Sequence, residues 1–326
     1  MARRRLICLT PVKNEAWILE MFLATTSLWA DEIIVADQQS TDETADIARR
    51  FPKVRLIEND GVAYSEAERQ KLLIDAAREV PGPKVLVALD ADEILSANVL
   101  DSPEWQEAIN APSGTVLKIE RVHLRPGCDK YWEEPMTPVG YVDDGAPHVG
   151  RELHSPRVPL PENADAISLK DVKILHYHAV NWDRMMSKMR WYQCHEFRNG
   201  MLTSPIDLFR RYHTPLVKDA DLRPVPVEWL EGYETANIDV RSTPGEHKHY
   251  HWDIEVASWL CEDPKQYAKL AVWEPEWWTG LKTTRAIRDP RSVLERFAHR
   301  WLAKSQPDHP SAVARFGERI LRCFGW

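Results

Sequence analysis

One short stretch constrains the fold of this chain more than any other, because an apolar run leads directly into three acids. Residues 85–89 are Val-Leu-Val-Ala-Leu, and Asp90, Asp92 and Glu93 follow at once. A continuous apolar run of this length is typical of a strand that is buried on both faces, as in parallel α/β sheets. Since open α/β sheets bind ligands at the carboxyl ends of their strands, we expect the acids at a binding edge.

These acids have two interpretations on this stretch alone. In extended backbone the side chains of Asp90 and Asp92 share a face, and two carboxylates there could bind Mg²⁺ or Mn²⁺. Alternatively, the acids begin a helix, because negative side chains interact favourably with the amino-terminal end of the helix dipole. The surrounding sequence has to distinguish a metal site from a helix start.

Strand and helix patterns alternate from the start of the chain to these acids. The strand patterns lie at residues 6–10, 32–36, 53–57 and 85–89. Between them apolar residues recur at helical spacing, and Asn14, the pair Ser40 and Glu43, and Ser65 are expected to cap the intervening helices. This alternation predicts an α/β fold with a doubly wound, mostly parallel sheet and helices on both faces.

Two common kinds of nucleotide site are disfavoured because their glycine-rich loops are missing. Neither a GxGxxG motif nor a phosphate-binding P-loop occurs in the sequence. Acids instead end two of the strand patterns, at Asp37 and at Asp90. An aspartate at the end of a strand can accept hydrogen bonds from ribose hydroxyls or a base N–H, or it can cap the following turn.

Charge and cysteine usage exclude several other classes of protein. The net charge is −8, so general nucleic-acid binding is not expected. The five cysteines are scattered and no CxxC occurs, which indicates neither a disulfide framework nor a zinc knuckle and favours a reducing cytoplasm. No apolar run approaches the length that a membrane-spanning helix needs.

Four motifs follow one another between residues 10 and 93. They are Thr10-Pro-Val-Lys-Asn-Glu15, Trp29-Ala-Asp-Glu-Ile-Ile-Val-Ala-Asp37, Ser40-Thr-Asp42 and Leu89-Asp-Ala-Asp-Glu93. In this order and spacing they resemble the nucleotide-sugar-binding half of family 2 glycosyltransferases, which have the GT-A fold. Gln38 and Gln39 depart from the family pattern, in which small residues occupy these positions.

The resemblance implies which residues contact the sugar donor and the metal ion. Those assigned to the donor are Pro11, Asn14, Glu15, Asp37, Arg69, Asp90 and Ala91. Among them, Asp37 would bind the base or the ribose, and Arg69 would reach the base or the diphosphate. Asp90 and Asp92 would form the DxD-type motif that binds Mn²⁺ or Mg²⁺, with Asp92 as the firmer ligand.

A further strand pattern, at residues 172–178, ends in two histidines. In the GT-A fold a downstream histidine often completes the metal shell, and imidazole is compatible with Mn²⁺. His176 is therefore the expected ligand and His178 the second candidate, while a core or surface histidine is the other interpretation of each. Asn181 is predicted to cap a long helix that ends before Gly200.

The acceptor side is less well defined by the sequence. An inverting transferase needs one carboxylate that takes the proton of the acceptor hydroxyl. Asp143, Asp144 and Glu152 are the candidates, and the alternative for each is a solvated surface acid. Residues 126–147 are rich in proline, glycine and acids, which predicts a long irregular lid or acceptor-binding loop.

The remaining sequence predicts a largely helical extension over residues 201–326. Helical patterns recur around residues 254–260, 264–273 and 291–304. Residues 311–326 combine arginines with large apolar side chains, which predicts a basic amphipathic helix. Such a helix could lie on an anionic membrane or pack on the main domain.

Together these patterns predict three parts, namely a nucleotide-sugar-binding half at 1–110, an acceptor-side half at 111–200 and the helical extension. The predicted function is metal-dependent, inverting transfer of a sugar from a nucleoside-diphosphate sugar to a hydroxyl of a glycan or glycolipid. The expected nucleotide is UDP, and the expected setting is polysaccharide biosynthesis. Inversion is implied by the resemblance alone. The predicted location is the cytoplasm, with peripheral contact at the inner face of the cell membrane through residues 311–326.

Two alternative functions stay open at this point. A sugar nucleotidyltransferase would usually have a glycine-rich loop with basic residues after the first strand, where this chain has Pro11-Val-Lys-Asn-Glu15. A non-catalytic module that binds nucleotide sugars or glycans is consistent with the same fold. Turnover separates the three, since a transferase releases a nucleoside diphosphate, a nucleotidyltransferase releases pyrophosphate, and a binding module releases neither.

Overall fold

The computed structural model describes residues 3–60, 65–151, 154–213, 221–242, 249–308 and 311–326. The chain divides into two units. Residues 1–180 and 223–244 form the first, here called the sheet unit, and residues 181–222 and 245–326 form the second, the helical unit. The predicted boundary near residue 110 falls inside the sheet unit, and its meaning as a division between donor and acceptor halves stays a prediction.

All strands described belong to the sheet unit, whereas helices occur in both units. The strands are β1 (Arg5–Val12), β2 (Glu32–Asp37), β3 (Val54–Glu58), β4 (Lys84–Ala88), β5 (Glu93–Leu95), β6 (Val116–Leu124), β7 (Lys130–Glu133), β8 (Thr137–Val142), β9 (Ala166–His176) and β10 (Arg223–Pro224). The helices are α1 (Ala16–Trp29), α2 (Thr44–Arg49), α3 (Glu66–Arg78), α4 (Pro103–Ile109), α5 (Trp182–Arg198), α6 (Pro205–Tyr212), α7 (Glu231–Thr235), α8 (His251–Glu262), α9 (Val293–Ser305) and α10 (Ala312–Cys323).

The sheet is parallel in its first half and mixed in its second half. Its strand order is β10-β7-β6-β8-β4-β1-β2-β3, with β9 beside β6 and β5 beside β9. Strands β3, β2, β1 and β4 are parallel to one another, whereas β8 pairs antiparallel with both β4 and β6. The predicted fold class is confirmed: a GT-A-like α/β fold with a mostly parallel sheet in its first half, followed by a largely helical C-terminal region.

Helices cover both faces of the parallel strands, as the near-continuous apolar sequences of those strands require. Ile7 of β1 is fully buried in a cluster that includes Leu73 of α3. Its neighbour Cys8 points to the other face, where it belongs to a cluster with Ile18 and Phe22 of α1. Burial on both faces fixes the register of β1, so the loop after it is placed firmly at the carboxyl edge of the sheet.

Residues 126–147 do not form the irregular lid that their composition predicts. Strands β7 and β8 lie within this segment, and both pair antiparallel with β6. The buried aromatic side chains of Tyr131, Trp132 and Tyr141 pack against the sheet. Burial of these rings favours extended backbone and outweighs the proline and glycine content.

The helical unit is built around α5, which packs on α6 and α8. The Oδ1 atom of Asn181 accepts a hydrogen bond from the backbone N–H of Arg184, so the predicted cap of this long helix is confirmed. A helix predicted over residues 264–273 is wrong, because the chain forms turns there. Its apolar pattern comes from buried side chains such as Tyr267 and Leu270, and the Trp273 indole N–H binds the carbonyl oxygen of Tyr267.

Two buried histidines of the helical unit are held in the neutral form. Burial lowers the pKa of His213 and of His299 to about 4 each. Around His299, Nε2 lies 3.0 Å from the carbonyl oxygen of Lys269 and therefore donates, while Nδ1 lies 3.1 Å from Arg291 Nη1 and accepts. Protonation of either ring would place a new charge in a buried site.

His299→Gln is expected to flatten the acid side of the stability profile. Because the folded-state pKa lies below the ordinary value of 6.5, neutral His299 stabilises the fold fully above pH 6.5, and this contribution is lost as the pH falls toward 4. Glutamine keeps a donor for the carbonyl of Lys269 but cannot be protonated. Urea unfolding between pH 4 and 7 should show a shallower fall for the variant, and parallel profiles for variant and parent would contradict this assignment.

No helix in the described part of the chain has the length and apolarity that crossing a membrane requires.

Candidate active site

Loops after β1 and β2 are joined by hydrogen bonds at the carboxyl edge of the sheet. Asn14 has a φ of 56°, and its Oδ1 accepts from the backbone N–H of Thr41 at 2.7 Å. Its own N–H donates to Ser40 Oγ at 2.8 Å, and this hydroxyl donates to Asp37 Oδ1. The motif residues of the first two loops thus hold one another in place.

These contacts correct two predicted helix caps. Asn14 does not cap α1, and Ser40 with Glu43 does not form a capping box for α2, because Glu15 and Glu43 occupy the cap positions without side-chain cap bonds. The side chains of Asn14 and Ser40 instead bond across the two loops. The cap predicted at Ser65 is present, since its Oγ accepts from the backbone N–H of Glu68.

The turn after β4 decides between the two interpretations of its acids. After Ala88 the chain turns through residues 89–92 and enters β5 at Glu93, so the helix-start interpretation is wrong. Strand β5 pairs antiparallel with β9, which places Glu93 opposite His176. Strand β9 in turn runs parallel to β6, with His123 opposite His176. The sheet itself therefore brings the acids and the histidines to one place.

A chain of ion pairs runs through this place. Arg157 Nη2 lies 2.7 Å from Asp90 Oδ2, and the same guanidinium is paired with Glu93. On the other side of Glu93, Arg121 Nε lies 2.9 Å from Oε1, and Arg121 also reaches Glu134. Glu93 is completely buried, so both guanidiniums are needed to keep its charge in the protein interior.

Three histidines lie together beside the acids. The ligand nitrogens of His123, His176 and His178 are all within 4.8 Å of one another. His176 Nε2 lies 3.5 Å from Asp92 Oδ1, and His123 Nε2 lies 3.0 Å from Glu134 Oε1. The three imidazoles lie close enough together to bind one divalent metal ion, and a carboxylate lies beside two of them.

Comparison with known families identifies one segment of the sheet unit. Residues 8–111 match the model of the family described as Glycosyl transferase family 2. This segment is a family 2 glycosyltransferase domain. The match includes all four motifs, the last of which is Leu89–Glu93. It therefore confirms the resemblance and the predicted enzyme class.

Known proteins beyond the family model add little. No curated protein matches the chain. Among solved structures, 4-diphosphocytidyl-2C-methyl-D-erythritol synthase is 16% identical, with 43% of this chain and 76% of that chain covered and a TM-score of 0.32. Glucosyl-3-phosphoglycerate synthase from Mycobacterium tuberculosis, solved with phosphoglyceric acid, is 20% identical (38% and 45% covered, TM-score 0.25). HddC from Yersinia pseudotuberculosis is 11% identical (53% and 93% covered, TM-score 0.32). With identities of 20% or less and TM-scores of 0.32 or less, these likenesses carry no argument about activity.

Several donor residues predicted for the glycosyltransferase domain lie along one edge. Pro11, Asp90 and Arg157 line a small hollow of about 10 Å³ at the carboxyl ends of β1 and β4. Gln70 of α3 also lines it, and the predicted donor residue Arg69 is its neighbour in the chain. Ala91 is buried in the turn between the two aspartates. Their contacts with a donor stay predictions.

Glu15 and Asp37 have protein partners at the same edge. Glu15 Oε2 accepts from the indole N–H of Trp17 at 2.7 Å, and the backbone N–H of Glu15 donates to Thr44 Oγ1 at 2.8 Å. Asp37 accepts from Ser40, as described above. Both acids therefore order the loops, and a role toward a base or ribose would be additional to this one.

The structure does not bring the predicted catalytic bases to this edge. The backbone N–H of Asp143 donates to the carbonyl oxygen of Lys84, at the start of β4 and thus at the opposite end of that strand from Asp90. Its carboxylate pairs with Arg78 at 2.8 Å, while Asp144 accepts from Tyr141 Oη at 2.6 Å. These partners explain both acids structurally. Glu152 lies outside the described residues.

His123, Glu134, Arg121 and Arg157 are the members of the site that sequence reasoning missed. A signal was present for two of them in the sequence of β6, because Arg121 and His123 are polar residues two apart on a face of this strand that is otherwise apolar. Arg157 follows an irregular segment and gave no local signal. Glu134 was one of several acids in the segment predicted to be irregular.

The charges of the site are fixed by their surroundings. Burial alone would raise the pKa of Glu93, but the guanidiniums of Arg121 and Arg157 hold it well below its ordinary value. Burial would also raise the pKa of Glu134, yet its contact with His123 lowers it to about 2. Burial lowers the pKa of His123, so this imidazole is neutral at physiological pH. An ionised carboxylate beside a neutral imidazole, as in the pair of Glu134 and His123, is the combination of protonation states that metal binding needs.

Proposed function

We propose that this chain is a metal-dependent, inverting glycosyltransferase that moves a sugar from a nucleoside-diphosphate sugar to a hydroxyl of a glycan or glycolipid. The observation that carries the metal part of the proposal is the meeting of Asp92 with His176 at the carboxyl edge of a family 2 domain. For the finer identity of the donor we propose UDP. For the setting we propose polysaccharide or glycolipid assembly in the cytoplasm, with peripheral contact of residues 311–326 with the inner face of the membrane.

The residues present fit a divalent metal ion. Nδ1 of His176 is buried and has no hydrogen-bond partner among the described residues, which is an unfavourable state unless the ring has a ligand or a partner. Asp92 Oδ1 lies 3.5 Å from Nε2, the other nitrogen of the same ring. A metal held by Asp92 and His176, with His178 and His123 as neighbours, would neutralise the charge that develops on the departing diphosphate. Imidazole ligands favour Mn²⁺ over Mg²⁺, so we propose Mn²⁺.

The other residues of the site have roles that follow from their contacts. Arg157 holds Asp90 and Glu93 and is thereby fixed at the hollow beside Pro11, where its guanidinium can interact with phosphate oxygens. Glu134, which is itself paired with Arg121, contacts Nε2 of His123 and thereby fixes the orientation of that ring. Trp132 stacks on His123 with ring centroids 4.8 Å apart, which keeps water away from that side of the ring.

Product analysis tests this function. The chain is incubated with UDP-sugars, Mn²⁺ and a pool of glycan and glycolipid acceptors, and the released phosphates are measured. Release of UDP, together with an anomeric configuration in the product opposite to that of the donor, would support the proposal. Release of pyrophosphate would assign a nucleotidyltransferase instead. Release of neither, from any donor, would favour a binding module.

His123→Gln is expected to weaken Mn²⁺ binding by about tenfold to a hundredfold, because a member of the histidine cluster is replaced while a hydrogen-bonding group is kept. Calorimetric titration with Mn²⁺ measures the affinity directly and needs no knowledge of the acceptor. His195→Gln, which changes a histidine of the helical unit, is the matched control. Equal Mn²⁺ affinity in His123→Gln and parent would show that His123 has no part in the site.

A further inference from the structure

The last helix of the chain is packed along one face. Leu321 of α10 and Trp326, just beyond its end, belong to a buried cluster with Ile206 of α6 and Leu302 of α9. On the same side, Glu318 accepts a hydrogen bond from Arg210 Nε at 2.9 Å. Packing on the protein, which was one of two interpretations of this sequence, therefore holds for this face.

A second face of α10 carries a row of large apolar side chains that the described residues leave exposed. Val313, Phe316, Ile320 and Phe324 are 79%, 65%, 46% and 60% exposed. They follow Val313 by three, seven and eleven positions, so they form one stripe along the helix. We call this set the α10 stripe. Contiguous apolar surface of this kind marks an interaction site in a soluble domain.

Two exposed arginines lie on the same helix as the α10 stripe. Arg315 and Arg319 are exposed, lie one turn apart on α10, and have no ion-pair partner in the described part of the chain. The single acid of this helix, Glu318, is already engaged by Arg210. The exposed surface of α10 therefore carries both large apolar side chains and positive charge.

The first turns of α9 also expose large apolar side chains, and two cations lie further along this helix. Val293, Leu294 and Phe297 are 87%, 45% and 61% exposed, and Arg300 and Lys304 follow seven and eleven positions after Val293. The two helices are in close contact, since a Cβ added to Gly317 of α10 would lie 2.1 Å from the ring of Trp301 in α9.

We propose that the α10 stripe, together with the apolar start of α9, binds the surface of an anionic lipid bilayer. An amphipathic helix with large apolar residues on one side and arginines next to them lies in the plane of the interface, with its apolar side chains among the acyl chains. The alkyl parts of Arg315 and Arg319 can cover apolar surface while their guanidiniums reach lipid phosphates. The inference deepens the membrane contact in the proposed function, but vesicle binding requires no sugar transfer, so the two can fail separately.

A second copy of the chain is the other possible occupant of the stripe, and the charges disfavour it. A twofold contact places the same surface of each copy against the other. The unpaired arginines of both copies would then meet in one interface, where like charges repel. An anionic surface instead attracts the same arginines, so it is the occupant that the described charges favour.

Cosedimentation of the full chain with vesicles tests the proposal. We expect binding to vesicles of phosphatidylglycerol and phosphatidylcholine in equal parts, weakening as salt is raised, and much weaker binding to phosphatidylcholine alone. Phe316→Ser with Ile320→Ser should lower the binding constant by about tenfold or more. Arg315→Glu with Arg319→Glu should lower it by at least about fivefold for each arginine. Val227→Ser, which changes a residue of the sheet unit that is 64% exposed, is the matched control and should bind as the parent does.

Three results would overturn the proposal. One is failure of the parent chain to bind anionic vesicles. Another is equal binding by the parent, by Phe316→Ser with Ile320→Ser and by Arg315→Glu with Arg319→Glu. The third is a dimer in sedimentation velocity that Phe316→Ser with Ile320→Ser dissociates, since this would assign the stripe to a second copy. The changed side chains are exposed, so circular dichroism and the unfolding midpoint of each variant should match the parent, and loss of UDP release alone would leave the proposal standing.

Discussion

Asp92→Asn is expected to abolish the Mn²⁺-dependent part of UDP binding and to lower sugar transfer by about a hundredfold or more, while the fold is kept. Asp92 is 6% exposed, and its Oδ1 lies 3.5 Å from His176 Nε2. Asparagine has the same shape but lacks the negative charge that a metal ion needs, so the change would remove the proposed metal ligand without opening a cavity. The unfolding midpoint with UDP, measured with and without Mn²⁺, reports the effect.

Asp46→Asn is the matched control for this variant. The Asp46 side chain is 81% exposed and pairs with Arg49 on the surface of α2. It is not one of the residues assigned to the metal or the donor. The control should respond to UDP and Mn²⁺ as the parent does. An Asp92→Asn protein that still shows the full metal-dependent response would place the metal elsewhere.

Glu93→Gln is expected to destabilise the fold by about 3–5 kcal/mol, which is the cost of leaving buried charges without their partner. Glu93 is completely buried and pairs with both Arg121 and Arg157, whose side chains are 15% and 16% exposed. The amide that replaces the carboxylate cannot neutralise two guanidiniums. Urea unfolding at neutral pH measures the loss as a change in the free energy of unfolding.

The matched control is Glu20→Gln, which removes a carboxylate from a surface pair with Arg50. Both side chains of that pair are more than half exposed, at 68% and 57%, so the loss should stay below about 1 kcal/mol. A Glu93→Gln protein whose unfolding free energy differs from that of the parent by as little as the control would show that the Arg121–Glu93–Arg157 chain is not needed for stability.

The fold could be predicted largely from local sequence. Apolar runs such as residues 85–89 are long enough to indicate strands buried on both faces, and their alternation with helical patterns fixes a doubly wound sheet. Prediction was wrong where local composition and burial disagreed. Burial of the rings of Tyr131, Trp132 and Tyr141 stabilises strands β7 and β8 in a segment that is rich in proline and glycine. These two strands pair with β6, which lies outside the segment, so the sequence of the segment alone does not predict them.

Only those residues of the site that lie at the ends of strand patterns could be predicted from the sequence. Asp92 and His176 follow strand patterns, so the carboxyl edge of the sheet brings them together. Asn14 and Ser40 are good helix caps by sequence, yet their side chains bond across two loops that are distant in sequence. Arg157 binds Asp90 from 67 positions away. Long-range ion pairs of this kind depend on the fold and leave no local pattern.

The most direct test of the central claim is thermal unfolding of the parent chain with UDP, GDP, dTDP or CMP, each with and without Mn²⁺. A ligand present at a hundred times its dissociation constant stabilises the native state by about 2.7 kcal/mol, which raises the midpoint by several degrees in a chain of this size. We predict a rise with UDP only when Mn²⁺ is present. A rise that is equal without metal, or no rise with any of the four nucleotides, would contradict a metal-dependent donor site at Asp92 and His176.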